Sequence, residues 1–370
     1  MNRLRVALDA TPLLGPRAGV GVFTQELLAR LASAGDLDVR AFAVTWRGRA
    51  SLGDAVPAGV TVARRPMAAR PLRWLWRTTG RPRIERWTGP VDVVHGPNYV
   101  VPPADAARVA TVHDLGAVRF PELCTDDVLA WPGLLERAVS EGAWVHTVSE
   151  HVAEEVRAGF RVDPERVVAV PNGVRTAEHA DASRGRALAG VERYVLALGT
   201  VEPRKNLPGL VAAFDAVAAR LRDVHLVVAG ADGWGVDGFD EAVDLSSSRE
   251  RIRRLRSVPD HDREDLLAGA AVLAYPSIYE GFGLPPLEAM SAGVPVVTSD
   301  AGALPETVGD AAEVVPAGDR DALAQALERL LTDDERRAEL IERGRRRVTR
   351  FSWDRTAEGL TALYRRAAAD

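Results

Sequence analysis

The sequence predicts two successive α/β domains, each a parallel β-sheet covered by helices. Three observations carry this expectation. The chain has 370 residues, which is long for a single core and suits two domains of ordinary size. Short β-branched runs alternate with longer amphipathic segments, the pattern of β-α-β units. The alternation then starts afresh at about residue 194.

The first set of strands is read at Leu4–Leu8, Val39–Val44, Val91–His95, Val109–His113, Trp144–Val148 and Val167–Val170. Helical spacing lies between them, as at Val22–Ala32 and Val128–Ala138. The second set is Tyr194–Leu198, His225–Ala229, Arg251–Leu255, Ala271–Ala274, Pro295–Thr298 and Ala312–Val315. Its helices are read at Leu207–Arg220, Arg263–Ala268 and Arg320–Leu331. Between the sets, Asn172–Glu192 is rich in Ala, Gly and charge and holds no sustained strand. It is taken as the junction, so that residues 1–172 and 173–352 form the two domains. Trp353–Arg366 is amphipathic. Residues 353–370 are expected to form a final helix that packs back toward the first domain. Two such domains leave a cleft, and α/β ligands sit at the carboxyl ends of strands.

Composition narrows the function. Hydrophobic content of 46% and charged content of 27% describe a folded chain. A formal net charge of -5 gives no support for a nucleic-acid partner. A single cysteine, Cys124, excludes an internal disulfide and fits a reducing cytosol. No apolar run is long enough to cross a membrane, and Met1-Asn2-Arg3 runs directly into a strand rather than a signal peptide. Of the 47 basic residues, 46 are Arg, and Lys205 is the only Lys. A lysine kept against that bias suggests a place where a compact ammonium matters. Chance retention on the surface is the plain alternative.

Four segments carry chemistry. The strongest runs Pro276-Ser277-Ile278-Tyr279-Glu280-Gly281-Phe282-Gly283-Leu284-Pro285-Pro286-Leu287-Glu288. Gly281 and Gly283 let backbone approach a ligand. Pro286 fits a first helical turn, whose amides would face an anion. Glu280 on the loop and Glu288 on the helix can accept from sugar hydroxyls, one from a hexose and one from a ribose. Two unrelated glutamates are the alternative. The second segment, Leu198-Gly199-Thr200-Val201-Glu202-Pro203-Arg204-Lys205-Asn206, closes a strand and opens a helix. Its Arg offers a planar fork and its Lys a point charge, a pairing suited to a diphosphate. A solvated basic pair is the alternative.

The third segment, Gly19-Val20-Gly21-Val22-Phe23-Thr24, follows the first strand and is expected to bring loop amides toward a phosphate. Thr24 stands where a dinucleotide fingerprint has a third Gly or Ala, which argues against an NAD enzyme. The fourth places His113 beside Asp114 at a strand end, to bind a sugar or handle protons, or simply to sit in the core. His95, Asn98 and Tyr99 end another strand and are expected to line the same cleft on the acceptor side. No His, Cys and Asp spacing suggests a metal.

Together these segments resemble family 4 of the retaining glycosyltransferases, whose fold is GT-B, two Rossmann-like domains facing each other across a cleft. The resemblance spans nearly the whole chain and includes Val170-Pro171-Asn172-Gly173-Val174, Ala292-Gly293-Val294-Pro295 and Phe351-Ser352-Trp353. Glu280 and Glu288, with seven residues between, become specific when joined to Arg204-Lys205. The resemblance implies that Arg204 and Lys205 hold the donor diphosphate, with Gly199 in their turn. It implies that Glu288 bonds the ribose. Glu280 and the amides of Gly281, Phe282, Gly283 and Leu284 match the group that grips the hexose. Gly19 and Gly21 match the loop near the distal phosphate, and His113 the histidine near the reactive carbon. Val258 and Asp260 fall at the nucleobase contacts, though Arg256 stands where many members carry Gly.

The expectation is therefore a cytoplasmic, metal-independent, retaining hexosyltransferase with no cofactor beyond its nucleotide diphosphate sugar donor. A GDP-sugar, GDP-mannose, is favoured over a UDP-sugar, because Asp260 can accept from both guanine donors. The acceptor is a glycan, a lipid-linked sugar or a small molecule. A glycoside phosphorylase or disaccharide synthase on the same fold is the alternative, and a non-catalytic binding protein a further one. Residues Arg64 to Arg86 hold eight Arg and one acid, with Trp74, Trp76 and Trp87 alongside. Such a stretch can lie on an anionic membrane at the inner face of the cell, or its Arg stems can cover the sheet. The oligomeric state is left open.

Overall fold

The computed structural model describes residues 3–15, 19–46, 48, 50–177 and 179–370, the side chain of Asp127 excepted. Met1 and Asn2 lie outside the described residues. The chain forms two compact units. One comprises Met1–Gly173 with Trp353–Asp370, the other Val174–Ser352.

The first unit has seven parallel strands: β1 (Leu4–Asp9), β2 (Leu37–Phe42), β3 (Thr61–Val62), β4 (Val93–Gly96), β5 (Ala107–Val112), β6 (Trp144–Thr147) and β7 (Val167–Ala169). Their order is β3-β2-β1-β4-β5-β6-β7. The central strands are apolar on both faces, as a sheet covered on both sides requires. Val6, Ala7 and Leu8 of β1 are fully buried. The longer helices of this unit are α1 (Gly19–Ser33), α2 (Ala69–Thr79), α3 (Trp131–Ser140), α4 (Glu150–Gly159) and, at the chain end, α12 (Trp353–Ala369). Ala357, Leu360, Leu363 and Tyr364 of α12 are buried against α1, β4 and β5. Gly359 lets the same helix pass close to the end of β7, since a Cβ there would stand 2.7 Å from Val170 Cγ1.

Three differences from the expectations have physical causes. The two residues of β3 are too few to set a run. The single helix read at Val128–Ala138 is broken at Ala130, because Pro132 occupies the first turn of α3. The glycines read as a loop at Gly19 and Gly21 lie instead in the first turns of α1. Phe23, Leu27, Leu28 and Leu31 all bury, so their helical spacing carries the helix back to Gly19. The Thr24 hydroxyl donates to Val20 O at 2.8 Å inside that turn.

The second unit has six parallel strands: β8 (Tyr194–Leu198), β9 (His225–Ala229), β10 (Ile252–Leu255), β11 (Val272–Tyr275), β12 (Val296–Ser299) and β13 (Glu313–Val315). The order β10-β9-β8-β11-β12-β13 repeats the logic of the first sheet. Its longer helices are α5 (Ala182–Ala189), α6 (Leu207–Arg220), α7 (Val236–Leu245), α8 (Asp260–Gly269), α9 (Leu284–Ser291), α10 (Arg320–Thr332) and α11 (Asp334–Val348). α5 lies in the segment read as a junction. Its N-cap Asp181 accepts from Ser183 N at 2.8 Å, and Gly185 lets it press on α8, where a Cβ would meet Asp265 O at 1.8 Å.

Candidate functional site

Strand order in the second unit reverses between β8 and β11, which pair directly. One continues to β9 on its own side and the other to β12 on the opposite side. A crevice forms at the carboxyl ends of such a pair. Both motifs with the strongest chemistry leave from this point.

β8 runs into Gly199 at φ 139°, a value that favours glycine. Gly199 N donates to Ala229 O at 3.0 Å. The chain then makes a short 3-10 turn, Pro203–Lys205, and enters α6 through Asn206 in the left-handed region. This turn is tied to the strand beside it, since Ile278 N donates to Arg204 O at 2.8 Å. Lys205 is thereby held over the end of β11. Its Nζ donates to Glu280 Oε1 at 2.5 Å and to the Tyr275 hydroxyl at 2.8 Å. The Tyr275 hydroxyl in turn donates to Glu280 Oε1 at 2.9 Å. Arg204 Nη2 reaches Glu202 Oε1 at 3.0 Å.

These groups are nearly shut off from solvent, with Lys205 15% and Glu280 10% exposed at the side chain. Burial by itself would neutralise both. For Glu280, burial raises the pKa, but Lys205 and Arg204 outweigh it and hold the carboxyl below its ordinary range. For Lys205, burial acts downward, and Glu280, Tyr275 and Glu202 outweigh it. Burial, with Glu280 beside it, pushes the Tyr275 phenol up, so it stays protonated and able to donate. The result is a fixed ammonium and a fixed carboxylate in contact, each polarised before any ligand arrives.

The Glu280 loop is clamped from a segment that the sequence reading passed over. Ala303 N donates to Glu280 O at 2.8 Å. Gly302, at φ 59°, leaves room for that contact, since a Cβ would sit 2.2 Å from Glu280 O. The Thr307 hydroxyl donates to Phe282 O at 2.6 Å. The available signal was Gly302 followed by Pro305 at the head of a short helix, Leu304–Val308. Gly281 and Phe282 are buried, and Gly283 at φ 103° caps α9, with prolines in its first turn. Leu284 is its first residue.

Glu288 projects from α9 into the fork of Arg263 on α8. Nη1 donates to Oε1 at 2.9 Å, and Nη2 to Oε2. Burial opposes the Arg263 charge, and Glu288 more than compensates. From sequence, Arg263 is placed at the head of a helix, one turn beyond Asp260, and is given no partner. Its pairing across twenty-five positions is visible only in the fold. Asp260 is the first residue of α8, with its carboxylate 3.3 Å from Arg175 and about half exposed (49%). Val258 is half-buried beside it, and Arg256 turns away to Asp232.

The first unit places its candidates differently from one another. His113, after β5, is half-buried and its Nε2 meets Pro97 O at 2.8 Å. A carbonyl only accepts, so Nε2 carries the proton. Burial depresses the His113 pKa, against Pro97 and Asp114, leaving a neutral ring packed edge-on to Phe23 at 5.1 Å. His95 was expected to line a cleft. Instead it is fully buried, with Nδ1 2.6 Å from the Tyr364 hydroxyl and Nε2 2.7 Å from Thr111 Oγ1. It is a core histidine because β4 lies inside the sheet and α12 covers it. Tyr99 is also buried, its hydroxyl donating to Asp114 O, while Asn98 stays half-buried. Among the described residues, no three His, Cys, Asp or Glu side chains are grouped to hold a metal ion.

Comparison with known proteins follows the same division. Residues 17–178 match the family described as Glycosyltransferase Family 4, and residues 180–347 that described as Glycosyl transferases group 1. The O-antigen chain mannosyltransferase B of Escherichia coli is 31% identical over 378 aligned positions, covering 95% of this chain and 97% of that protein. The chain belongs to glycosyltransferase family 4. This family 4 glycosyltransferase is also 32% identical to a D-inositol 3-phosphate glycosyltransferase of Salinispora arenicola, over 97% of this chain and 89% of that one. Sucrose-phosphate synthase from Thermosynechococcus elongatus has the same GT-B fold, with a TM-score of 0.78 at 21% identity, over 99% of this chain and 100% of the other. Among the described residues of the glycosyltransferase, no helix is long and apolar enough to cross a membrane.

Proposed function

We propose that this glycosyltransferase moves mannose from GDP-mannose to a glycan or lipid-linked acceptor, with retention and without a metal. The observation that carries the reading is the contact of Lys205 and Glu280 at 2.5 Å, with Arg204 on the same turn. The cations take the donor diphosphate, and the carboxylate accepts from the hexose hydroxyls. When the bond from the anomeric carbon to the phosphate oxygen breaks, its electron pair goes to the diphosphate. Arg204 and Lys205 neutralise that charge where a metal would otherwise be needed, without rearranging, which is how preorganised sites lower barriers. The acceptor oxygen bonds to the carbon on the same face, and its proton passes to the departing phosphate oxygen. Glu288, held by Arg263, takes the ribose hydroxyls. His113, neutral with its proton on Nε2, can accept through Nδ1 near the reactive carbon rather than bring charge.

Mannose and guanine are supported by whole-chain likeness to an O-antigen chain mannosyltransferase and by the half-exposed Asp260 carboxylate, which can accept from both guanine N–H groups. Two measurements test the reading. Calorimetric titration should give tighter GDP than UDP binding; equal or tighter UDP binding removes the guanine assignment. The one-bond C1–H1 coupling constant of the new anomeric centre should report the donor's own configuration, and an inverted product overturns retention.

A further inference from the structure

The helix α2 carries a face that the donor site does not use. Arg70, Arg73, Trp74 and Arg77 fall at i, i+3, i+4 and i+7, on one side of the helix, and all four are exposed. Leu72 and Trp76 occupy the opposite side and bury in the core of the first unit. Trp76 is further fixed by donating to Pro82 O at 2.9 Å. The Arg stems therefore do not cover the sheet; Leu72 and Trp76 do.

Many of the chain's arginines are held by carboxylates. Arg336, Arg343 and Arg345 are all ion-paired with neighbouring glutamates. Among the described residues, Arg70, Arg73 and Arg77 form no ion pair, nor do the exposed Arg64, Arg65, Arg81 and Arg86 around them. The charge of Arg73 bears on the buried Asp9 carboxyl, but without contact. The helix itself holds no acid. In its midst Trp74 is 58% exposed, in a chain of net charge -5.

We propose that the α2 face of Arg70, Arg73, Trp74 and Arg77 docks on an anionic phospholipid membrane. The charge is complementary to acidic headgroups, and the indole has the amphipathic character that settles at a headgroup boundary. A nucleic-acid duplex would also answer to the arginines, but its bases are stacked inside and leave the indole no apolar layer to enter, which a bilayer offers. The face presents the enzyme to a substrate carried in a bilayer. The proposal stands apart from the donor assignment, because it needs neither GDP nor turnover.

The test is flotation of the full chain with vesicles of phosphatidylcholine alone and with a third phosphatidylglycerol. Binding is expected only to the acidic vesicles, and 0.5 M salt should release it. Arg70→Gln with Arg77→Gln should weaken partitioning roughly twentyfold, at about fivefold per basic residue at such a surface. Trp74→Ser should weaken it at low salt without changing its salt dependence. Unchanged melting temperatures establish that the exposed substitutions leave the fold intact. Equal binding to both vesicle types, no loss in the double variant, or tighter binding to duplex RNA than to acidic vesicles would each overturn the proposal.

Discussion

Lys205→Met isolates the electrostatics of the candidate site. The substitution keeps the length of the side chain and deletes its charge, leaving Glu280 buried beside the Tyr275 hydroxyl without its closest cation. Removing one member of a buried ion pair costs about 3–5 kcal/mol. The 15% and 10% exposure of the two side chains argues for the lower end, about 3 kcal/mol. For a unit of this size that is a fall in melting temperature of roughly 6–12 °C. The loss has a signature in pH. In the wild type the Glu280 pKa is depressed below its ordinary value of 4.5. Its contribution is therefore present above that value and fades as pH falls through the depressed pKa. In the variant the largest influence opposing burial is gone, so the Glu280 pKa is expected to rise and stability to be lost as pH climbs above 4.5. The melting-temperature gap should thus be small near pH 4 and widen steadily to pH 7. Scanning fluorimetry across that range measures it. Glu280→Gln added to Lys205→Met should recover most of the loss, because the stranded charge is gone. A gap independent of pH, or a double variant no more stable than Lys205→Met, would refute the reasoning.

Three further outcomes are expected. Gly302→Ala drives a Cβ to 2.2 Å from Glu280 O at a positive φ, so titration should find nucleotide affinity lost while circular dichroism stays that of the wild type; retained affinity contradicts the clamp. Arg263→Leu frees Glu288 from its fork and should weaken GDP about tenfold, the worth of a charged hydrogen bond, yet leave 2′,3′-dideoxy-GDP unaffected; equal losses for both nucleotides would separate Arg263 from the ribose. Turnover should survive excess EDTA and should fall on the order of a hundredfold in Lys205→Ala; activity restored only by added Mn²⁺ or Mg²⁺ would assign the diphosphate charge to a metal.

Much of the second unit was legible along the chain because its inner strands β8, β9, β11 and β12 are largely apolar runs with a glycine or proline at one end. β8, β9 and α6 fall where the periodicity puts them. Arg204, Lys205, Glu280 and Glu288 could be singled out as candidates because each lies just past a strand end or on the first helix after one, and parallel topology gathers such positions at one edge of the sheet; of them, Lys205 and Glu280 are in contact. The lone lysine was also a signal of composition, since no other position retains that residue.

What the sequence by itself determined was therefore local: the alternation of strand and helix, the turns that demand glycine, and the residue types available at the strand ends. Tertiary structure decided everything that depends on a distant partner. Arg263 becomes the fork on Glu288 only because α8 packs beside α9. Gly302 matters only because it lies against Glu280, and His95 leaves the list of cleft residues only because Tyr364, 269 positions away, closes over it. The same G-x-G that reads as a loop starts α1, since the burial of Phe23, Leu27 and Leu31 outweighs the weak helix preference of glycine. Local propensity differs by less than about 1 kcal/mol between such states, whereas burying a single large side chain contributes about 1.5–3 kcal/mol, so packing decides wherever the two disagree.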